Sequence, residues 1–124
     1  LLLENKPIEV WRGRQLRHFN YIDDPVEAFL LAAVNVKADG QAFHLGGLGF
    51  LSLNELAEKL VELNGAGDCA VLPYPLARQA IDIGDYYADF SKITAALGWR
   101  PKVAIADALK LTLAFYRENL AEYL

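Results

Sequence analysis

The stretch RQLRHFNYIDDPVEAFLLAAVN, residues 14–35, carries the signals that decide the fold. Its first part, residues 16–22, mixes polar side chains with aromatic and β-favouring ones, which predicts a strand. Arg17 lies on that strand, and the planar fork of an arginine suits a carboxylate or a phosphate. A strand that leads directly into a helix holds an arginine side chain in a fixed position. The stretch therefore predicts an anion-binding position as well as two structural elements.

The second part of the same stretch predicts a helix. Asp24 is the expected N-cap, with Pro25 at the first helical position and Glu27 three residues after the cap. Residues 26–34 are almost wholly apolar. Because a helix that is apolar on every side needs cover nearly all round, we expect this helix to be buried.

Composition limits the kind of protein this can be. The 124 residues suffice for one domain, or for part of a larger one. A net charge of −4 and a pI of about 5.1 argue against a nucleic-acid partner. Hydrophobic residues make up 54%, but no run approaches the ~18 apolar residues of a membrane helix, so we expect no membrane partner. The single cysteine, Cys69, favours a reducing, cytoplasmic compartment.

The apolar surplus and the first residue suggest that this chain is a piece of a longer protein. The sequence begins abruptly with three leucines and contains no methionine. Its hydrophobic fraction exceeds the usual ~45–50%. We therefore expect part of the surface to be covered by something that lies outside this chain.

The remaining sequence predicts short elements of both kinds. They are a helical tail at residues 1–5, a strand at 8–11, a buried strand at 42–45, a helix opened by a capping box at 52–55, a strand at 70–72, a short helix at 90–97 capped by Asp89 and ended by Gly98, and a last helix at about 104–122. A strand, a helix and a strand over residues 16–45 are typical of a βαβ unit. The predicted class is α/β, with mixed short strands and about four helices.

The loop between the last predicted strand and the short helix is the second informative place. Residues 74–89 hold one arginine, three aspartates and three tyrosines. This segment is too polar to be a purely structural connection and too rich in aromatic residues to be disordered. Long ordered loops are disproportionately functional. The plain structural alternative is that Arg78 pairs with Asp82 or Asp85 at the surface, which is worth ~0–1 kcal/mol.

Four motifs resemble those of one known family. Residues 17–24, Arg-His-Phe-Asn-Tyr-Ile-Asp-Asp, are similar to the Arg-Asp-Phe-x-Tyr-Val-Asp-Asp signature of the extended short-chain dehydrogenase/reductase family, which includes nucleotide-sugar epimerases and dehydratases. His18 stands where that signature has Asp. The family's other motifs match Arg78 with Asp82, then Ala-Asp-Phe-Ser-Lys at 88–92 and Leu-Gly-Trp-Arg-Pro at 97–101. All four occur in the family's order.

The resemblance implies a substrate site and assigns its residues. Arg17 and Arg78 match the two arginines that grip the diphosphate of a nucleotide sugar, here a UDP- or dTDP-sugar. Trp11 matches an aromatic position beside the base. The full set of implied substrate-binding residues is Trp11, Gln15, Arg17, Arg78 and Asp82, with Glu9 and Val10 giving backbone contacts. Arg12 and Arg14 are rival phosphate ligands. The turn that carries them is one residue shorter than the family's, which bears on the register of Trp11.

The resemblance also implies what this chain lacks. It resembles the carboxy-terminal, substrate-binding part of an NAD-dependent epimerase or dehydratase similar to UDP-glucose 4-epimerase. Residues of about 24–46 would add the last helix and strand of the dinucleotide-binding sheet. No Tyr-x-x-x-Lys pair and no dinucleotide glycine loop occurs, and the glycines at 46–49 are interpreted as a strand exit. NAD is thus expected in the parent enzyme but not on this chain, which has no catalytic residue and no metal site.

A different class of function remains open from the sequence. The chain could be a non-catalytic α/β module that self-associates through an exposed apolar surface and binds no nucleotide. Self-association is expected under either hypothesis, because an uncovered sheet edge invites pairing with another copy.

Overall fold

The computed structural model describes residues 2–4 and 6–123, a mixed α/β arrangement of short strands and helices. The strands are β1 (Ile8–Trp11), β2 (Arg17–His18), β3 (Phe50–Leu51) and β4 (Cys69–Leu72). The helices are α1 (Asp23–Ala33), α2 (Leu53–Asn64), α3 (Leu76–Gln79), α4 (Ser91–Leu97) and α5 (Ile105–Asn119). Single 3-10 turns lie at Leu2–Glu4, Val36–Ala38 and Leu120–Glu122. The α/β class predicted from the sequence is confirmed.

Two small sheets organise the strands. β1 and β4 run parallel, with Ile8 opposite Cys69 and Trp11 opposite Leu72, and α2 packs against both strands. A helix that connects and covers two parallel strands is the usual way to bury one face of such a pair. β2 and β3 pair antiparallel, with Arg17 opposite Leu51. The end of β1, the start of β2 and the first residue of α2 line one common groove.

Helix α2 shows the local sequence rules acting as expected. The Ser52 hydroxyl accepts the Glu55 N–H at 3.2 Å, and the Glu55 carboxylate accepts the Ser52 N–H at 2.7 Å, which completes the predicted capping box. Gly65 ends the helix in the left-handed region at φ +71°. The helix is therefore fixed at both ends by residues within it or next to it.

The core lies between α1 and α4. Ala28, Ile93 and Trp99 are fully buried, and five partly buried side chains pack against them: Leu31, Phe43, Leu45, Phe90 and Leu97. The Trp99 indole N–H donates to the Asp24 carbonyl at 2.8 Å, so the largest core side chain has its polar atom satisfied. Gly98, predicted to end α4, does so at φ +74°.

The predicted N-cap role of Asp24 is wrong. Helix α1 starts at Asp23, two residues before the predicted first helical residue Pro25, and no side chain caps it. The Asp24 carboxylate is buried and instead accepts the backbone N–H groups of Lys102 and Val103, each at 3.1 Å. Asp24 therefore joins α1 to the segment before α5.

Three further predictions about this region need correction. The strand expected over residues 16–22 is only Arg17–His18, and residues 42–45 form no strand, so the expected parallel βαβ unit is absent. Helix α1 is not covered all round either, because Phe29 is 70% exposed and Leu30 64%. The apolar run of α1 is buried only along the side that carries Ala28 and faces Trp99.

The remaining elements follow the sequence more closely. The long loop after β4 contains one helical turn, α3, which the sequence did not indicate. The Asp89 carboxylate accepts the Ser91 N–H at 2.8 Å at the start of α4, near the predicted cap position. The predicted last helix divides into α5 and the final 3-10 turn. Residues 1 and 5 of the predicted helical tail lie outside the described residues.

Candidate functional site

A groove of about 420 Å³ lies where β1, β2 and the start of α2 meet. It is lined by Glu9, Val10, Trp11, Gly13, Gln15, Arg17, Leu53, Tyr74 and Asp82. One end is aromatic and the other is charged. Four of the five residues predicted to bind substrate therefore share one groove, although they come from distant parts of the chain.

The aromatic end is built by Trp11 and Tyr74. Their ring centroids are 5.7 Å apart at an angle of 59°, and Trp11 is 43% exposed. The parallel register explains the pairing, because Trp11 lies opposite Leu72 and the chain leaves β4 toward Tyr74. An exposed indole face in a groove can stack on a planar ring.

The charged end is organised by the carboxylate of Asp82. It accepts hydrogen bonds from the Tyr74 hydroxyl, from the Gly84 N–H at 2.7 Å and from the Gln15 amide at 3.3 Å, and it contacts the Arg17 guanidinium at 3.4 Å. The bonds from Tyr74 and then from Gly84 lower the pKa of the Asp82 carboxyl, and the charge of Arg17 acts in the same direction. Asp82 is thus an anion held among donors.

Arg17 is held by the chain on both sides of the groove. Its guanidinium donates to the Gly84 carbonyl and to the Leu16 carbonyl at 3.0 Å, besides contacting Asp82. The loop that carries these acceptors is tied to β2 by its backbone, because the Leu16 N–H donates to Asp85 at 2.8 Å and Tyr86 donates to the Leu16 carbonyl at 3.0 Å. The guanidinium therefore has a fixed place at the rim.

Arg78 lies apart from this cluster. It is exposed on α3, does not line the groove, and within the described part of the chain its side chain forms no hydrogen bond or salt bridge. Among the described residues, the alternative pairing of Arg78 with Asp82 or Asp85 is thus absent. Asp82 pairs with Arg17, and Asp85 accepts from the Leu16 N–H and the Tyr87 hydroxyl. The positive charges of Arg17 and Arg78 both act on the pKa of the Tyr74 hydroxyl, which the bond to Asp82 nevertheless raises.

The rival arginines flank a second depression. Arg12 and Arg14 line a volume of about 460 Å³ that shares Gln15, Tyr74 and Asp82 with the groove. The two spaces therefore adjoin each other along these shared side chains. Arg12 and Arg14 stay alternatives to Arg17 and Arg78 as phosphate ligands.

Tyr74 is the site residue that sequence reasoning missed. It combines a hydrogen bond to Asp82 with a ring contact to Trp11. The signal that could have found it is the pairing of β1 with β4, which places the residue after β4 beside the end of β1.

Each of the two histidines lies within hydrogen-bond distance of another part of the chain. His18 Nδ1 accepts the Ala88 N–H at 3.0 Å, and the His44 ring nitrogen lies 3.3 Å from the Tyr86 hydroxyl. Over residues 2–4 and 6–123 no group of three His, Cys, Asp or Glu side chains is placed to hold a metal ion. In the same residues no helix has both the length and the apolarity to cross a bilayer.

Comparison with known proteins places the chain in a family. No protein-family model matches the sequence. A dTDP-glucose 4,6-dehydratase of Streptomyces niveus is 33% identical over 121 residues, which are 97% of this chain and 35% of that protein. The chain thus spans about a third of the length of the curated relatives it matches.

Solved structures agree with the sequence relatives. A UDP-glucose 4-epimerase of Thermotoga maritima, crystallised with UDP-glucose, superposes with a TM-score of 0.82 at 29% identity over 96% of this chain and 37% of its own. A dTDP-glucose 4,6-dehydratase of Streptomyces venezuelae, crystallised with NAD, gives 0.78 at 29% identity over 96% and 36%. The chain therefore belongs to the extended short-chain dehydrogenase/reductase family, and it corresponds to the carboxy-terminal region of its nucleotide-sugar epimerases and dehydratases.

Proposed function

We propose that this chain is the nucleotide-sugar-binding region of an NAD-dependent epimerase or dehydratase, and that its groove binds a UDP- or dTDP-sugar. Trp11 lies beside the base, Arg17 and Arg78 bind the diphosphate, and Gln15 and Asp82 form the polar wall. The observation that carries this proposal is the groove itself, because it joins an exposed indole to a positioned guanidinium.

The chemistry of these groups suits a nucleoside diphosphate. A guanidinium fork can bind two phosphate oxygens at once, and each charge-assisted contact is worth ~1.5–3 kcal/mol when desolvated. Stacking of a base on the Trp11 indole adds ~1–3 kcal/mol. After the costs of association and ordering, these terms support micromolar binding at best.

Arg78 enters the proposal as a second contact to the diphosphate. It is exposed and has no side-chain partner within the described residues, so no existing bond has to break before it binds a ligand. Its charge already acts at the Tyr74 hydroxyl, which lies at the groove wall. A ligand diphosphate near Tyr74 would therefore experience the positive charges of both Arg17 and Arg78.

Gly46 and Gly47, in the glycine cluster that follows residue 45, do not fit the phosphates of NAD. A Cβ on Gly47 would lie 2.2 Å from the Phe19 carbonyl oxygen, and one on Gly46 would lie 2.9 Å from the Ala88 carbonyl oxygen. These glycines allow close packing of the chain on itself and do not form a phosphate cradle. We place NAD and the catalytic residues in the rest of the parent enzyme, expect this chain alone to be inactive, and assign the cytoplasm because Cys69 is a free thiol.

Nucleotide titration tests the proposal directly. Calorimetry with UDP and dTDP should give micromolar to submillimolar binding, weakened at least about tenfold by Arg17→Ala and less by Arg78→Ala. Arg100→Ala is the matched control, because Arg100 is exposed and lies on a different depression. UDP should also quench tryptophan fluorescence through the exposed Trp11, whereas Trp99 is 1% exposed and out of reach. Equal affinity in all three arginine variants would refute the assignment.

A second function is favoured by the uncovered side of α1. Val26, Phe29 and Leu30 project from this helix as large exposed apolar side chains, and exposed patches of this kind mark association surfaces. The non-catalytic alternative, a module that self-associates here, predicts a concentration-dependent mass in analytical ultracentrifugation. Phe29→Ser should then reduce association, whereas Leu76→Ser, which removes an equally exposed side chain from α3, should not.

A further inference from the structure

Asp82 contacts Arg17, one of the two arginines that the proposed function assigns to the diphosphate. Its carboxylate is surrounded by the Tyr74 hydroxyl, the Gly84 N–H, the Gln15 amide and the Arg17 guanidinium. All of these donors except the Gly84 N–H come from residues that line the groove. Converging donors of this kind form an anion site, and here the anion belongs to the protein.

We propose that Asp82 is an internal counter-anion, which a diphosphate displaces from Arg17 when it binds in the groove. The proposal rests on the proposed function and adds a step to it. One terminal nitrogen of the Arg17 guanidinium donates to the Leu16 and Gly84 carbonyls, and the other terminal nitrogen faces Asp82. A diphosphate that took the second nitrogen with Asp82 still in contact would place two anions side by side, which is unfavourable.

The geometry shows which contact gives way. The Arg17 contact to Asp82 is long for a charge-assisted bond, at 3.4 Å against the usual ~2.7–2.9 Å. The bond from Gly84 to the same carboxylate is 2.7 Å. Asp82 is therefore held by Tyr74 and Gly84 even when Arg17 leaves it, and the exchange breaks the longest of its four contacts.

The exchange does not require the loop to open. Leu16 is bonded to Asp85 at 2.8 Å and to Tyr86 at 3.0 Å, and neither bond involves Asp82. The exchange breaks the contact between Arg17 and Asp82, and it leaves in place the bonds from Arg17 to the Leu16 and Gly84 carbonyls. Removing the charge of Asp82 should thus change ligand affinity without changing the backbone of the site.

Asp82→Asn tests this role, with Asp85→Asn as its matched control. Both variants remove one negative charge from the same loop, but only Asp82 contacts Arg17. Asparagine keeps one oxygen, which can accept either from the Tyr74 hydroxyl or from the Gly84 N–H, because these two donors bind different oxygens of the carboxylate. In calorimetry with UDP and with inorganic pyrophosphate, Asp82→Asn should bind about three- to tenfold tighter than the wild-type chain, and Asp85→Asn less than about twofold tighter.

A double variant shows whether the effect acts through Arg17. In an Arg17→Ala background, Asp82→Asn should no longer tighten UDP binding, because the pair it disrupts is already gone. Amide NMR spectra of each variant report whether the fold is kept, and Asp82→Glu supplies a second variant that retains the charge and should not tighten binding.

The outcomes separate this inference from the proposed function. If UDP binding depends on Arg17 but Asp82→Asn weakens it, or strengthens it no more than Asp85→Asn does, the counter-anion role is refuted and the proposed function is retained. A failure of every folded variant to bind UDP or pyrophosphate overturns both.

Discussion

Replacing Asp24 should cost this chain a large part of its stability. The Asp24 side chain is 3% exposed, and its carboxylate accepts two backbone N–H groups at 3.1 Å from Lys102 and Val103. Hydrogen bonds to a charged group contribute ~1.5–3 kcal/mol each. Because Lys102 and Val103 are partly exposed, water can replace some of what they lose. We therefore expect Asp24→Ala to lower the free energy of unfolding by about 2–4 kcal/mol.

Urea unfolding followed by tryptophan fluorescence measures this change. Trp99 is buried and donates to the Asp24 carbonyl, so its emission reports the same region. Asp24→Asn keeps an acceptor oxygen but loses the charge, and should cost about half as much. Asp23→Ala is the control, because Asp23 is exposed in the same turn of α1. A loss for Asp24→Ala within about 0.5 kcal/mol of that for Asp23→Ala would refute the reasoning.

Two further predictions concern the ends of elements. Ser52→Ala should cost about 1 kcal/mol in urea unfolding, because it removes half of the capping box. The backbone bond from Ser52 and then its hydroxyl bond lower the pKa of Glu55, so their stabilisation is present above the ordinary glutamate pKa and is lost as the pH falls through the lowered pKa. Ser52→Ala removes the hydroxyl bond and keeps the backbone bond, so it should make this acid-side loss of stability smaller without abolishing it, and an unchanged loss would contradict the reasoning. Gly47→Ala should destabilise by more than about 2 kcal/mol, since its Cβ would meet the Phe19 carbonyl oxygen at 2.2 Å. Gly65→Ala is the comparison, because its backbone strain comes only from φ +71°, and it should lower the free energy of unfolding by about 1 kcal/mol. An equal loss of stability in Gly47→Ala and Gly65→Ala would contradict the predicted clash at Gly47.

Sequence reasoning succeeded where the interactions are local. The capping box at Ser52 and the glycine end of α4 depend on residues within four positions of each other, and both form as predicted. Strand β1 was also predicted at its observed bounds. Such features need no knowledge of the rest of the fold, because their partners are neighbours in the chain.

The errors arise where a partner is distant. Asp24 has a side chain typical of a helix N-cap, but its carboxylate accepts instead from the backbone N–H groups of Lys102 and Val103, which lie 78 and 79 residues later. Residues 42–45 read as a strand, yet Phe43 and Leu45 pack on the core cluster without any strand to pair with. A short apolar run signals burial and does not by itself distinguish a strand from an irregular buried segment.

The candidate site was predicted in part for the same reason. Trp11, Gln15, Arg17 and Asp82 were named from the family resemblance, and they share one groove. The salt bridge between Arg17 and Asp82 was not foreseen, because it depends on how the loop after α3 folds back on β2. Whether these residues bind a nucleotide sugar stays a prediction.

Stability and binding should be separable in this chain, because different contacts carry them. Arg17 is placed by the tie of Leu16 to the loop, and that tie involves none of the buried core residues. Asp24 instead joins α1 to the segment before α5, and it does not line the groove. An Asp24 variant that remains folded at low temperature should therefore bind UDP with wild-type affinity, whereas Arg17→Ala should lose affinity at nearly unchanged stability. A joint loss of both properties in either variant would mean that the groove and the core form one cooperative unit.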